Sequence, residues 1–152
     1  MGGVRRALVV AGAMVGVALL CAPVASADGP VEVRTRLNGF CLERGYIYPC
    51  NGTYAQQWVF DPDGKFHTHY GGLCLFQGLG DPQNGAELGL GRCAYRNPPG
   101  ATWTRQPNGQ ITNGLGGCLA VGRGGSTAPD TPVIVFHCTA NTPGQEWDIA
   151  PL

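Results

Sequence analysis

The chain has 152 residues, of which 13% are charged and 43% hydrophobic, with ten basic and ten acidic side chains and a single lysine, Lys65. That length suits one domain with a modest core. The balanced charge and the lack of any basic stripe make nucleic acid and acidic membrane surfaces poor candidate partners.

The N-terminus reads as an export signal. Arg5-Arg6 is followed by an apolar run from Ala7 to Leu20 and then Ala25-Ser26-Ala27, which are a basic region, a short hydrophobic region and a small-x-small cleavage site. The run is too short and too close to the cleavage site for a membrane span. Arg5-Arg6 hints at twin-arginine export, but its surroundings fit general secretion better. Removing residues 1–27 leaves 125 residues, eight basic against ten acidic, and six of the seven cysteines. An even cysteine count in an exported chain implies disulfides. Zinc ligation fits poorly, because no Cys-x-x-Cys spacing occurs.

Beyond residue 27 no helical period persists. Short apolar runs stand at Val31-Glu32-Val33-Arg34, Val133-Ile134-Val135-Phe136 and Trp147-Asp148-Ile149. Between the runs lie Asp61-Pro62-Asp63-Gly64, Asn84-Gly85, Asn108-Gly109 and Thr112-Asn113-Gly114. Asp-Gly and Asn-Gly favour the left-handed backbone of tight hairpins, so the pattern predicts an all-β barrel or sandwich.

A pattern then recurs three times. Cys41-Leu42 leads to Tyr46-Ile47-Tyr48-Pro49-Cys50 and Gln56-Gln57-Trp58; Cys74-Leu75 to Leu88-Gly89-Leu90-Gly91-Arg92-Cys93 and Ala101-Thr102-Trp103; Cys118-Leu119 to Val133-Ile134-Val135-Phe136-His137-Cys138 and Gln145-Glu146-Trp147. The tryptophans are 45 and 44 residues apart and the second cysteines 43 and 45. A fixed period means three equivalent units, approximately 28–68, 69–112 and 113–152. Strand alternation places Gln56 with Trp58, and Gln145 with Trp147, on one inward side. Each tryptophan then fills a share of the core, and a buried glutamine amide must bond to backbone. Ala101 denies the middle unit that tie.

These cysteines with Gln-x-Trp resemble the ricin B-type (R-type) lectin family, over essentially the whole exported chain. The resemblance implies a β-trefoil of three repeats of about 44 residues, with twelve short strands, six closing a barrel and six capping it. If each unit closes on itself, the disulfides are Cys41–Cys50, Cys74–Cys93 and Cys118–Cys138, each contributing roughly 3 kcal/mol.

The resemblance also implies sugar pockets. Sugar-binding members carry an acidic residue two places after the first cysteine of a unit. A polar residue stands four before the second cysteine, an aromatic two before it, and an asparagine just before the Gln-x-Trp glutamine. A carboxylate for hydroxyls and a ring for the C–H face make a minimal sugar reader. In the third unit these places hold Ala120, Ile134, Phe136 and Gly144, so only the aromatic remains. In the second they hold Phe76, Gly89 and Gly91, which leaves no acid and no ring. The first keeps Glu43 and Tyr48, with Tyr46 at the polar place and Ala55 at the asparagine. Its cysteines are nine apart, against nineteen and twenty, so its loop is about ten residues short. Glu43, Tyr46, Tyr48 and Phe136 are therefore the candidate sugar-binding residues. Against that, the rings could simply cover barrel surface, with Glu43 pairing with Arg44 or another arginine.

His67 and His69 share a strand face without an evident third metal ligand. Asp61 and Asp63 start like a calcium loop but lack its later ligands. Asn51-Gly52-Thr53 is a glycosylation sequon. With no Gly-x-Ser-x-Gly, no free cysteine and no paired carboxylates, the sequence predicts no enzyme, metal or cofactor. The expectation is a secreted, non-catalytic binder of glycans or polysaccharides, with a protein partner as the alternative.

Overall fold

The computed structural model describes residues 29–94 and 96–152, and the predicted export signal lies outside them. Twelve short strands follow one another: β1 (Val31–Thr35), β2 (Cys41–Glu43), β3 (Tyr46–Tyr48), β4 (Trp58–Phe60), β5 (Phe66–Thr68), β6 (Leu73–Gln77), β7 (Ala86–Arg92), β8 (Trp103–Arg105), β9 (Ile111–Asn113), β10 (Gly117–Val121), β11 (Thr131–His137) and β12 (Trp147–Pro151). No described helix is long and apolar enough to cross a membrane.

The expected β-trefoil is present. Strands β1, β4, β5, β8, β9 and β12 form the ring. Antiparallel ladders join β1 to β12 and β4, β4 to β5, and β8 to β9. The Trp103 N–H bonds the Gly64 carbonyl and the Trp147 N–H the Gly109 carbonyl, both at 2.8 Å, and these bonds tie successive units. Both glycines are in the left-handed region, at φ 90° and 93°, as the Asp-Gly and Asn-Gly turns predicted. At Thr112-Asn113-Gly114 the turn lies later than predicted. Asn113 is buried at the end of β9, with its amide on Gln77 Oε1 at 2.7 Å, and Gly116 closes the turn.

The hairpins β2–β3, β6–β7 and β10–β11 cap the ring. All three disulfides close within their units, as Cys41–Cys50, Cys74–Cys93 and Cys118–Cys138. The three tryptophans are buried, and each indole donates to the leucine carbonyl after its unit's first cysteine: Trp58 to Leu42, Trp103 to Leu75 and Trp147 to Leu119, at 2.9–3.0 Å. One apolar ring and one satisfied N–H thus recur three times around the axis.

Gln56 and Gln145 are buried, but strand alternation is not the reason. Each ends a single 3₁₀ turn, Tyr54–Gln56 or Pro143–Gln145, outside the strand its tryptophan begins. Backbone hydrogen bonds hold them inward. Gln145 donates to the His137 carbonyl and accepts from Thr139 N–H, and Gln56 does the same with Pro49 and Asn51.

The first hairpin departs from threefold symmetry. Its strands have three residues each and turn at Arg44-Gly45, whereas β7 and β11 have seven. Strand β11 pairs β7 through Ile134↔Glu87 and β3 through Pro132↔Tyr46. The third equivalent pairing would set Arg44 against Gly89, but the chain has already turned there. Leu90 consequently remains half-buried, while its equivalents Ile47 and Val135 are fully enclosed.

Candidate functional site

Hollows occur at equivalent places in the third and first units. The third-unit hollow, about 390 Å³, lies between β10–β11 and the 3₁₀ turn before Trp147, with Phe136, Ala120, Val121, Gly144 and Leu37 in its walls. Its outer loop passes through Gly122–Gly125, where Arg123 and Gly124 are left-handed, so the segment is a tight turn rather than a helix. Phe136 is half-buried and lies against His137, with ring centroids 4.0 Å apart. Ala120 supplies no carboxylate, and the amide of Gln145 is engaged by the His137 carbonyl, the Thr139 N–H and the Gln110 amide. This hollow offers a ring, threonine hydroxyls and an otherwise aliphatic wall.

The first-unit hollow, about 440 Å³, is lined by Arg44, Tyr54, Ala55, Thr68, Tyr70, Leu73 and Leu90. Four of these residues have equivalents in the wall of the third-unit hollow. Arg44 and Val121 each stand three after their unit's first cysteine, Tyr54 and Pro143 four before its tryptophan, and Ala55 and Gly144 three before it. Tyr70 and Leu37 each stand four before the next first cysteine around the ring. Three apolar wall positions of one hollow are therefore a cation and two phenols in the other.

Tyr54 and Tyr70 are 62% and 51% exposed, and their ring centroids are 3.9 Å apart with planes tilted by 40°. The Tyr70 phenol is held above its ordinary range, first by desolvation and then by the neighbouring Tyr54 phenol, so it stays a neutral hydrogen-bond donor. His69 packs edge-on to Tyr70 at 4.7 Å.

The sequence candidates separate. Glu43 does not pair with Arg44; its carboxylate accepts from the Gln56 amide at 2.8 Å, next to the hollow rather than in its wall. Tyr48 is half-buried opposite Cys41. Tyr46 is 50% exposed but faces a different concavity. That one, about 470 Å³, lies where β3, β7 and β11 converge, with Gly45, Tyr46, Leu88, Gly89, Val133 and Ile134 as threefold-equivalent lining residues. Phe136 is alone in the third unit. Sequence reasoning missed Arg44, Tyr54 and Tyr70 as members of one hollow, because their equivalence to Val121, Pro143 and Leu37 shows only once the third-unit wall is known.

In the second unit Phe76 stands at the acidic place and its ring lies over the two glycines. A Cβ on Gly89 would meet it at 2.4 Å and one on Gly91 at 3.1 Å. A ring thus occupies the place left empty on β7, supplied from β6.

Metal binding gains no support. The grouping of three ligand-type side chains among the described residues is Glu32, Cys41 and Cys50, and both sulfurs are spent in a disulfide. His67 faces Asp61 at 3.3 Å and the Thr68 carbonyl at 3.0 Å. Asp61 accepts Gly64 N–H through its carbonyl in an ordinary turn.

Comparison with known proteins agrees with this architecture. Residues 29–147 match the model of the ricin-type beta-trefoil lectin domain. Proteins of Mycobacterium bovis and Mycobacterium tuberculosis, each named only as an uncharacterized protein, are 38% identical over 160 residues, covering 99% of this chain and 96% of theirs. Among solved structures, the designed threefold-symmetric protein ThreeFoil superposes with a TM-score of 0.69 at 22% identity, over 82% of this chain and 100% of its own. The C-half of an earthworm R-type lectin in complex with GalNAc gives 0.68 at 13% identity, over 82% and 99%. The Macrolepiota procera ricin B-like lectin in complex with lactose gives 0.66 at 20%, over 84% and 98%. At such identities these likenesses speak for fold alone. With the family model spanning the three units and their repeated tryptophan anchors, the chain belongs to the ricin-type β-trefoil lectin domain family, whose fold is a carbohydrate-binding one.

Proposed function

We propose that the protein is a secreted, non-catalytic carbohydrate-binding protein whose working site is the first-unit hollow. Its carrying observation is the pair of exposed rings, Tyr54 and Tyr70, at the wall of a hollow equivalent to that of the third unit. Aromatic faces take the C–H side of a sugar while phenol and guanidinium groups take its hydroxyls. The Glu43 carboxylate, fixed by the buried Gln56, adds an oriented acceptor close by. Export is supported by the N-terminal pattern Arg5-Arg6, the apolar run and Ala25-Ser26-Ala27, and by three disulfides, which suit an oxidising compartment.

The test is binding of the oxidised protein to a broad glycan and polysaccharide panel, alongside Tyr54→Ala, Glu43→Ala and Phe136→Ala. Saturable binding lost in Tyr54→Ala but kept in Phe136→Ala is the expected result. Binding lost only in Phe136→Ala transfers the site to the third unit.

A second reading, a protein partner, is favoured by the concavity where β3, β7 and β11 meet. Its floor is aliphatic, through Leu75, Leu88, Leu90 and Val133, and the edge of β7 at Gly89–Leu90 lacks its symmetry-expected strand. Silence across the panel from folded protein would select this reading.

A further inference from the structure

We propose that the first-unit hollow selects acidic saccharides, chains that carry carboxylate or sulfate groups, with Arg44 as the group that takes the anion. The inference rests on the sugar-binding reading above and adds the class of sugar.

Arg44 replaces Val121 of the third unit, so this hollow alone of the two has a cation in its wall. The guanidinium is exposed and has no carboxylate within ion-pair distance among the described residues. Glu43, its neighbour in sequence, is engaged by Gln56. Glu87 lines the adjoining concavity that Arg44 also borders. Arg36, by contrast, is bound by both Glu146 and Asp148. Guanidinium presents a fork of N–H groups that matches a carboxylate or sulfate with two hydrogen bonds.

Backbone geometry points the same way. Arg44 adopts φ 57°, a left-handed conformation that a side chain disfavours and glycine does not. Its N–H bonds the Ala55 carbonyl at 3.3 Å. The backbone that carries Arg44 is thus tied to the segment that carries Tyr54, and both residues line the same hollow. Tyr54 and Tyr70 take the sugar ring while Arg44 takes its acid group.

The experiment titrates the oxidised protein with polygalacturonate, dextran sulfate, neutral galactan and neutral dextran at low and physiological salt. Parallel variants are Arg44→Gly, Tyr54→Ala and Arg123→Gly. Arg123 is an exposed arginine in the same backbone region, at φ 51°, so its removal takes away equal charge and equal strain elsewhere. The wild type is expected to favour an acidic chain by roughly tenfold or more at physiological salt. Polygalacturonate against dextran sulfate decides between carboxylate and sulfate. Arg44→Gly should abolish the preference while raising the melting temperature, so lost folding cannot explain the loss. Arg123→Gly should raise the melting temperature and keep the preference, and Tyr54→Ala should weaken every saccharide. An acid preference unchanged in Arg44→Gly, or lost equally in Arg123→Gly, overturns the inference. Binding of neutral chains alone overturns it too and leaves the sugar reading standing. Folded protein that binds no saccharide of either kind overturns both.

Discussion

The first and third units place a hollow at the same point of the same fold and build it from opposite materials. In the third unit a long hairpin and the loop through Gly122–Gly125 enclose an aliphatic space with Phe136 at its edge. In the first, the hairpin ends at Arg44-Gly45, and the wall is completed by Tyr70 of the following turn. The shorter hairpin lacks the residues that shape the hollow in the third unit. It places a charged turn residue, Arg44, at the rim, where two phenols stand at positions that hold Pro143 and Leu37 in the third unit. A trefoil keeps its core through such a change because each unit anchors its tryptophan on its own leucine carbonyl, independently of hairpin length.

That independence can be broken or sharpened by mutation, and the tryptophans give the largest effect. Trp58→Ala and Trp147→Ala should each lower unfolding free energy by about 3–5 kcal/mol in denaturant titrations. If Trp58→Ala costs far less, the short unit is not an equal partner in the core. Removing Cys41–Cys50 should cost about 3 kcal/mol, and Cys118–Cys138 about 0.7 kcal/mol more, because its loop spans twenty residues instead of nine. Equal costs would mean that closure of the hairpin loop does not set the contribution. Smaller again, Arg44→Gly and Arg123→Gly should each stabilise by about 1 kcal/mol by relieving a left-handed side-chain-bearing residue. Calorimetric melts check the sign, and a loss of stability in Arg44→Gly would mean that the side chain has a structural partner.

Most of the fold was legible because three copies of Cys-Leu, a strand ending in cysteine, and a tryptophan admit few architectures. The disulfide partners followed from the same period. The glutamines were legible as buried, but not for the right reason, since a 3₁₀ turn leaves no trace in a two-residue spacing. The site was less legible. The family positions led to Glu43, Tyr46, Tyr48 and Phe136, whereas the exposed rings at the first hollow are Tyr54 and Tyr70. Tyr70 belongs to a stretch that the period assigns to the next unit, and no motif inside one unit points to a wall supplied by its neighbour. Phe76 over Gly89 and Gly91 was equally hidden, because an empty place on one strand does not announce that the opposite strand fills it.

The turns that link successive units allow a finer comparison, at the smallest expected effect. Asp63-Gly64-Lys65 and Asn108-Gly109-Gln110 have the same backbone, each glycine carbonyl receiving the next tryptophan's N–H. The first carries an ion pair and the second a pair of amides, with Asn108 donating to Gln110 at 3.0 Å. Lys65 holds the Asp63 carboxyl below its ordinary value of 3.8, chiefly by hydrogen bonding. A lowered carboxyl contributes stability that is present above the unfolded-state value and lost as pH falls through the folded one. The two amides of the second turn do not titrate, so acid should weaken the first junction through Asp63 itself and reach the second only through Glu146 and Asp148, which hold Arg36 on the Asn108 carbonyl. Melts between neutral pH and the strongly acid range should show a slope below pH ~4 that Asp63→Asn reduces. Asn108→Asp should add an acid slope of its own, because the Arg36 guanidinium already bonds the Asn108 carbonyl at 2.9 Å and would hold a new carboxyl low. The pair is exposed, so added salt should shrink the Asp63 contribution as well. An acid slope unchanged by Asp63→Asn at low salt would assign it to carboxylates elsewhere, such as Asp148 and Glu146 on Arg36.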